Sequence, residues 1–238
     1  MVIIKRIAGV YVGMEARQIP IREQKSEKTG RLVGNTSLGY IISKRLIDII
    51  GSVFALVIFS PIFLLTATAI KLDDPKSKVF YSQKRTGQLG WSFDFWKFRS
   101  MVPNADALKD KLKKQNEMNG PVFKIANDPR VTRVGRVIRR TSIDELPQFW
   151  NVLKGDMSFV GPRPLPVAEE MACDSYQRQR EAVKPGITCY WQIRGRNKID
   201  FDGWVELDLQ YIREQSLLTD LKILCKTPMA VIKRDGAS

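Results

Sequence analysis

The longest apolar run of the chain covers residues 46–70, where Asp48 is the single charged residue. Its apolar positions cover all sides of a helix instead of one face, as expected for a segment surrounded by lipid. About 20 apolar residues are enough to cross a bilayer as a helix. Ser60-Pro61 lies near the middle, and an interior proline removes one backbone hydrogen bond. The pattern therefore predicts a membrane helix that is broken at Ser60-Pro61.

Basic residues flank this run, with Lys44 and Arg45 before it and Lys71 after it. The positive-inside rule places both flanks in the cytoplasm. We therefore expect residues 41–72 to form a re-entrant helix that enters and leaves the membrane by the same face. The alternative is a straight transmembrane anchor that tolerates the proline. A buried core helix is disfavoured at this length.

Residues 1–40 are polar and mixed in character, and we interpret them as an N-terminal tail or linker. No part of them has the length and flanks of a signal peptide. Residues 73–238 have the size of one domain, since domains typically contain about 100–200 residues. Within this part, the alternating segments 79–83 and 91–95 flank a turn-like stretch and predict a β-hairpin. Further along, Asn104 is expected to cap a lysine-rich helix that runs toward Met118.

Arginines 130, 133, 136 and 139 recur at every third position, and in a helix they would form one cationic stripe. Taken alone, such a stripe is a solvated face or a non-specific nucleic-acid patch. The segment that follows changes this interpretation, because Asp144 and Glu145 place two adjacent carboxylates next to the arginines. A carboxylate can attack phosphorus or bind a metal while arginines neutralise phosphate oxygens.

Residues 142–145 also have the form of a capping box, in which Ser142 caps a helix and Glu145 reaches back to its amide. This alternative needs no function. Against it, Pro147 lies where a regular helix already needs a backbone donor. Conflicts of this kind concentrate at functional sites.

The turn Pro162-Arg163-Pro164 presents an arginine between two prolines. The prolines restrict the backbone, which reduces the entropy lost when a cation is held in place. Arg163 is therefore a candidate anion clamp, although an exposed arginine in a proline-rich turn is the simpler alternative.

Composition limits the chemistry further. The net charge of +14 and the pI near 9.8 favour an anionic partner, whether nucleic acid, a membrane surface or a phosphorylated substrate. Histidine is absent from the sequence, which excludes imidazole bases and Ser-His-Asp triads. The three cysteines are widely spaced, so neither a disulfide framework nor a zinc knuckle is indicated.

In their order along the chain, these segments resemble the bacterial sugar transferase family, the monotopic phosphoglycosyl transferases. The segment 141–148, Thr-Ser-Ile-Asp-Glu-Leu-Pro-Gln, is nearly diagnostic. The matching blocks are residues 44–48, Ser60-Pro61, 83–85, 97–101, 128–148, 155–164 and 184–197.

The resemblance implies an α+β, mostly helical fold with a re-entrant membrane helix at 41–72. It also implies a cytoplasmic phosphoglycosyl transferase domain at 73–238, with a small β-hairpin and interfacial amphipathic helices. The expected location is the bacterial inner membrane. The expected reaction transfers a sugar-1-phosphate from a UDP-sugar to polyprenyl phosphate and releases UMP, as the first membrane step of polysaccharide or glycoconjugate assembly.

In such enzymes the aspartate that matches Asp144 is the nucleophile and forms a covalent phosphosugar intermediate. The resemblance implies that Mg²⁺ binds at Asp144 and Glu145. It further implies that the turn at residues 162–164 lies near the uridine. The residues expected to contact phosphate or nucleotide are Arg85, Lys97, Arg139, Pro162, Arg163 and Pro164. Polyprenyl phosphate, the UDP-sugar and inner-membrane lipids are the expected partners, nucleic acid is not, and a homo-oligomer is compatible with this expectation.

Two hypotheses of other classes remain at this point. One is a membrane-tethered nucleic-acid-binding protein, which leaves the adjacent carboxylates unexplained. The other is a non-catalytic scaffold for glycan assembly. The motifs do not distinguish galactose, glucose or an N-acetylated sugar. Many longer relatives carry further membrane helices and a nucleotide-fold domain before the catalytic part, and residues 1–40 are too short for either.

Overall fold

The computed structural model describes residues 32–195 and 199–232, together with the backbone of two short paired strands, β1 (Arg6–Ile7) and β2 (Val10–Tyr11). Most of the expected tail at 1–40 therefore lies outside the described residues. The described part is α+β and mostly helical, as the sequence predicts. Its further elements are α1 (Leu38–Ile58), α2 (Ser60–Asp73), β3 (Phe80–Thr86), β4 (Ser92–Phe98), α3 (Ala105–Leu112), α4 (Arg133–Arg140), α5 (Gln148–Lys154), β5 (Ser158–Val160), α6 (Val167–Met171), β6 (Gly186–Thr188), α7 (Tyr190–Arg194), α8 (Phe201–Arg213) and α9 (Leu217–Ile232).

The predicted break in the apolar run is confirmed. The axes of α1 and α2 differ by 57°, with Phe59 between the two helices. Pro61 lies in the first turn of α2. Backbone amides in a first turn have no acceptor within the helix, so the missing N–H of proline removes no helix hydrogen bond there. Within the described residues no single helix is long and apolar enough to cross a membrane, whereas the bent pair passes by length and composition. Exposed apolar side chains on the pair include Leu46, Ile50, Phe54, Val57, Leu64 and Leu65.

The polar residues of α1 fasten it to the rest of the protein. Asp48, the only charge in the apolar run, is buried and accepts hydrogen bonds of 3.0 Å from the Ser158 hydroxyl and the Phe159 amide. Lys44 lies 2.7 Å from Asp220, and Arg45 donates to two carbonyl oxygens at the end of α5. Lys44 and Arg45 therefore anchor α1 to the rest of the protein, in addition to flanking the apolar run.

The predicted β-hairpin is confirmed, since β3 and β4 pair antiparallel with Phe80 opposite Phe98 and Gln83 opposite Phe95. Both strands extend beyond the predicted segments. Phe93, Phe95 and Phe98 are buried, so β4 presents its aromatic side chains to the core.

The predicted helix toward Met118 is too long, because α3 ends at Leu112. Asn104 occupies its N-cap position without a capping hydrogen bond. The chain then turns around Asn116, whose side-chain amide donates to the carbonyl oxygens of Met118 and Val122.

The predicted arginine stripe is only partly helical. Thr132 caps α4 by accepting a hydrogen bond from the Gly135 amide, so that Arg133, Arg136 and Arg139 share the helix. Arg130 precedes the helix and is buried in an ion pair with Asp128.

The largest hydrophobic cluster surrounds α8, where Phe201, Leu209 and Ile212 are almost fully buried. The helices α7 and α9 pack beside it, and α9 also contacts the parallel strands β5 and β6. Gly161 follows β5, and a Cβ atom there would lie 2.2 Å from the Lys184 carbonyl oxygen. Only glycine therefore allows the chain to enter the following proline turn in this position.

Candidate active site

A cavity of about 420 Å³ lies between the β3–β4 hairpin, the segment after β4, the turn before α5, the turn after β5, and the helices α7 and α8. Its wall contains the predicted site residues Arg85, Lys97, Arg139, Asp144, Glu145, Arg163 and Pro164. Pro162 lies outside this wall and faces a smaller pocket behind the turn. The fold thus gathers residues separated by up to 79 positions in the chain, as between Arg85 and Pro164.

The backbone around Asp144 contains a left-handed residue and a single tight turn. Ser142 has a φ of 58° and its side chain caps no helix, while Ile143–Glu145 forms one 3₁₀ turn. The helix α5 begins only at Gln148, with Pro147 in the cap position, where no donor is needed. The capping-box alternative is therefore wrong, because the Glu145 side chain extends to cations instead of back to Ser142.

Glu145 is held by two cations. The Lys97 ammonium nitrogen lies 3.1 Å from Oε1, and Arg163 donates to both carboxylate oxygens, with Nη1 3.1 Å from Oε2. Burial alone would raise the pKa of Glu145, but the charges and hydrogen bonds of Arg163 and Lys97 outweigh it and hold the pKa well below its usual value. Glu145 is therefore ionised and is a weak proton acceptor.

Asp144 has a different environment, although it is the next residue. It is 5% exposed, and its Oδ2 lies 3.5 Å from the Lys97 ammonium. Burial raises the pKa of Asp144, the Lys97 charge opposes this, and Glu145 adds to it. The charges of Arg139 and Arg163 also favour the ionised carboxylate. Asp144 is thus a buried carboxyl group without the paired arginine bonds that Glu145 has.

Two buried arginines support the turn that carries Arg163. Arg85 donates to the Pro164 carbonyl oxygen at 2.6 Å, and Arg180 donates to the Arg163 carbonyl oxygen at 2.8 Å. The Arg180 Nε also donates to Asp208 at 2.7 Å, which connects the turn to α8. These bonds fix two successive carbonyl groups, so the Arg163 side chain extends from a backbone that is held on both sides.

The contact between Arg85 and a substrate phosphate stays a prediction. In this structure Arg85 contacts the turn at residues 162–164. Its guanidinium carbon lies 4.2 Å from the centroid of the Phe95 ring. Burial, followed by the nearby charge of Arg163, lowers the pKa of Arg85 to about 10. The guanidinium therefore remains charged at neutral pH.

Comparison with known protein families decides the identity of the chain. A model of the family described as bacterial sugar transferase matches residues 39–234. The chain belongs to the bacterial sugar transferase family. The match includes nearly all of the bent pair α1–α2, the hairpin and every residue of the candidate site, so the family covers nearly all of the described structure.

Three relatives illustrate the similarity. The galactosyl transferase CpsE of Streptococcus agalactiae serotype III is 47% identical over 199 residues, which cover 83% of this chain and 44% of the relative. The undecaprenyl-phosphate galactose phosphotransferase of Salmonella typhimurium is 44% identical over 205 residues, with coverage of 82% and 41%. A UDP-N-acetylgalactosamine-undecaprenyl-phosphate N-acetylgalactosaminephosphotransferase of Aeromonas hydrophila is 37% identical over 243 residues, with coverage of 98% and 52%. The chain therefore spans about half the length of these relatives.

Magnesium is implied by the resemblance to the bacterial sugar transferases, and its fit can be judged from the donors. Within residues 32–195 and 199–232, no three acidic, cysteine or histidine side chains lie together in a way that could hold a metal. Mg²⁺ commonly takes one or two carboxylates and completes its shell with water and substrate phosphates. Both Glu145 oxygens already accept bonds from cations, so Asp144 is the more available ligand. The pair fits magnesium as a site shared with a substrate phosphate.

The cavity wall also contains residues that were not predicted to belong to the site. Lys124 lines the cavity without any local motif that predicts it, and Arg130 lines it from outside the predicted helix. Trp191 and Trp204 stack with ring centroids 4.4 Å apart and also contribute to the wall. In the matching block at 184–197, Tyr190–Arg194 forms α7, and residues 196 and 197 lie outside the described ones.

Proposed function

We propose that this protein transfers a sugar-1-phosphate from a UDP-sugar to polyprenyl phosphate, with Asp144 as the nucleophile. The observation that carries the proposal is the pair of buried Asp144 and partly buried Glu145, which shares one cavity wall with Lys97, Arg139 and Arg163. Cations around a buried carboxylate suit a substrate whose phosphates bring further negative charge. The names of the Salmonella and Aeromonas relatives, which include undecaprenyl phosphate, support the choice of acceptor.

In the first step, a carboxylate oxygen of Asp144 attacks the phosphorus that bears the sugar. The bond between this phosphorus and the oxygen bridging to UMP breaks, and UMP leaves with the electron pair. An aspartyl phosphosugar results. In the second step, a phosphate oxygen of polyprenyl phosphate attacks the same phosphorus, and the Asp144 carboxylate is released with the electron pair. Two displacements through a covalent intermediate replace one difficult step.

The two carboxylates have separate tasks in this proposal. Glu145 has a depressed pKa and is bonded to Arg163 and Lys97, so it orients these cations and is unsuited to accept a proton. Asp144 has no such bidentate partner, so its carboxylate is less engaged by cations, although it is the more buried of the two. Lys97 lies within 3.5 Å of both carboxylates and compensates charge on each.

Asp144 and Glu145 would hold magnesium together with substrate phosphate oxygens. When bound, the metal supplies positive charge that stabilises the departing UMP. Arg163 would bind the remaining phosphate oxygens of the donor, which positions the phosphorus in front of Asp144, and Arg139 is a further phosphate-binding candidate on the same wall.

We place the bent pair α1–α2 in the bacterial inner membrane as a re-entrant hairpin, with the catalytic part on the cytoplasmic side. The exposed apolar side chains of the pair and the buried anchor at Asp48 support this arrangement. Cysteines introduced at Thr36 and Lys76 in a Cys225→Ser background test it in intact cells. Both should resist a membrane-impermeant thiol reagent until the cells are opened. Labelling of either one from outside would contradict the re-entrant arrangement.

The activity is tested with purified protein, magnesium, polyprenyl phosphate and a panel of UDP-sugars. We expect UMP release with at least one sugar and formation of the matching polyprenyl diphosphosugar. Two relatives are named for galactose and one for N-acetylgalactosamine, so both UDP-sugars belong in the panel. Absence of UMP release across the panel, from protein whose unfolding transition is intact, would contradict the proposal.

The nucleic-acid alternative predicts a different response. Binding through the exposed arginines of α4 should weaken steeply with salt and tolerate many sequences. The arrangement inside the cavity favours the transferase, because its basic residues are bonded to carboxylates that would repel a nucleic-acid backbone. Tight, salt-dependent DNA binding without UMP release would favour the alternative.

A further inference from the structure

The basic residues of the cavity wall differ in whether they have partners. Nine line the wall: Arg85, Lys97, Arg99, Lys109, Lys124, Arg130, Arg139, Arg163 and Arg180. Lys97, Lys109, Arg130, Arg163 and Arg180 form ion pairs with carboxylates, while Arg85 and Arg99 donate to backbone carbonyl oxygens. Of these nine, Lys124 and Arg139 are the two whose side chains have no hydrogen bond or ion pair with any described residue.

These two residues, called the cation pair below, line the same cavity wall. Burial lowers the pKa of Lys124, the charge of Glu117 opposes this, and the charge of Arg139 has a smaller lowering effect. Both side chains are partly buried. Burial is the main cost of holding a charge on Lys124, and an anion bound beside it would offset that cost.

The position of Arg139 indicates that an anion would approach the cation pair from the side of the cavity next to α2. Arg139 lies in the last turn of α4, and α4 packs against α2 of the bent pair. Its neighbour Ile138 belongs to a hydrophobic cluster with Ile70 of α2 and Phe98 of the cavity wall. Arg139 is also near enough to Asp144 for its charge to favour the ionised carboxylate. The cation pair therefore reaches from the membrane-helix side of the wall toward the nucleophile.

We propose that Lys124 and Arg139 form a phosphate subsite that binds the phosphate of polyprenyl phosphate in the second displacement. This inference rests on the proposed function and assigns Lys124 to the site for the first time. Lys97 and Arg163 are already bonded to Glu145 next to the nucleophile, where the donor diphosphate must lie. A lipid acceptor that arrives along α2 meets the unpaired cations before it meets Asp144.

The test separates the two half-reactions in the full chain. Lys124→Met keeps the length of the side chain and removes its charge. We expect the KM for polyprenyl phosphate to rise about tenfold to hundredfold, since a charge-assisted bond to phosphate is lost. The UMP burst from UDP-sugar without acceptor should keep its rate and amplitude, and the amplitude also reports how much protein is folded. Lys124→Arg should restore most of the acceptor affinity.

Lys114→Met is the matched control, because Lys114 is exposed and lies outside the cavity wall. It should leave both half-reactions unchanged. A slower burst in Lys124→Met would overturn the assignment to the acceptor and place the donor diphosphate at the cation pair. An unchanged acceptor KM would remove Lys124 from the site while leaving the proposed function intact. A wild-type protein that releases no UMP from any UDP-sugar would contradict both proposals.

Discussion

The two charged parts of the cavity differ in how their cations are compensated. Around Glu145, both Lys97 and Arg163 are bonded to the carboxylate. In the cation pair, Lys124 and Arg139 have no such partner among the described residues. Compensated cations are fixed in place before the substrate arrives, whereas uncompensated ones gain most when an anion binds. The first part is therefore suited to orienting a reacting group, and the second to capturing a ligand.

The largest expected effect comes from removing the carboxylate of Asp144, the proposed nucleophile. Asp144→Asn should abolish turnover, because an amide of nearly the same shape does not attack phosphorus as a carboxylate does. In the wild type, UDP-sugar and magnesium without acceptor should release about one equivalent of UMP and add a phosphosugar to the protein. Intact-protein mass and peptide mapping measure this.

The exposed Asp202 provides the matched control, since Asp202→Asn removes a carboxylate outside the cavity. Its burst should equal that of the wild type. Full activity in Asp144→Asn, or a labelled peptide that lacks Asp144, would show that the nucleophile lies elsewhere and would remove the contrast between Asp144 and Glu145.

A smaller effect is expected from Arg163→Ala, which removes the bidentate partner of Glu145. The kcat/KM for the UDP-sugar should fall about tenfold to hundredfold, the loss expected for one charge-assisted bond. Arg133→Ala, at an exposed position of α4, is the control and should leave this value unchanged. An equal fall in kcat/KM for the UDP-sugar and for polyprenyl phosphate in Arg163→Ala would contradict the proposed division between the two parts of the cavity.

A still smaller effect should follow from loosening the turn behind Arg163. In Arg180→Lys the charge stays, but a lysine cannot make the same forked contact to Asp208 and the Arg163 carbonyl oxygen. We expect a fall in donor kcat/KM of roughly fivefold, as for one neutral hydrogen bond of about 1 kcal/mol. Cys189→Ala removes another contact to Asp208 and leaves the turn bonded. Equal losses in both variants would indicate a general packing effect.

The smallest expected effect concerns stability at different pH values. Burial raises the pKa of Glu181 to about 7, and the neighbouring charge of Glu170 adds to this rise. A raised folded-state pKa means that the folded protein binds more protons than the unfolded chain, so this contribution is present at low pH and is lost as pH rises through about 7. Glu181→Gln should therefore flatten the decline of Tm between about pH 5 and about pH 8. A decline as steep as in the wild type would exclude Glu181 as its source.

Several elements were predictable because local stereochemistry determines them. Proline at position 61 breaks the apolar run wherever the rest of the chain lies, and the alternation on both sides of residues 86–90 produces the hairpin. The adjacency of Asp144 and Glu145 and the restricted turn around Arg163 are likewise properties of the chain itself. For these features, the sequence was sufficient to select residues that the fold brings to one cavity wall, and their chemical roles stay predictions.

Which ion pairs the charged side chains form depends on the tertiary structure. Glu145 resembles a capping residue in the sequence, yet its partners are Lys97 and Arg163, which are 48 and 18 positions away. Arg130 resembles a member of a helical stripe and is buried against Asp128 instead. Lys124 has no motif of its own. Coulombic energy and burial depend on distances across the fold, and residue spacing along the chain sets those distances only within a helix or a strand.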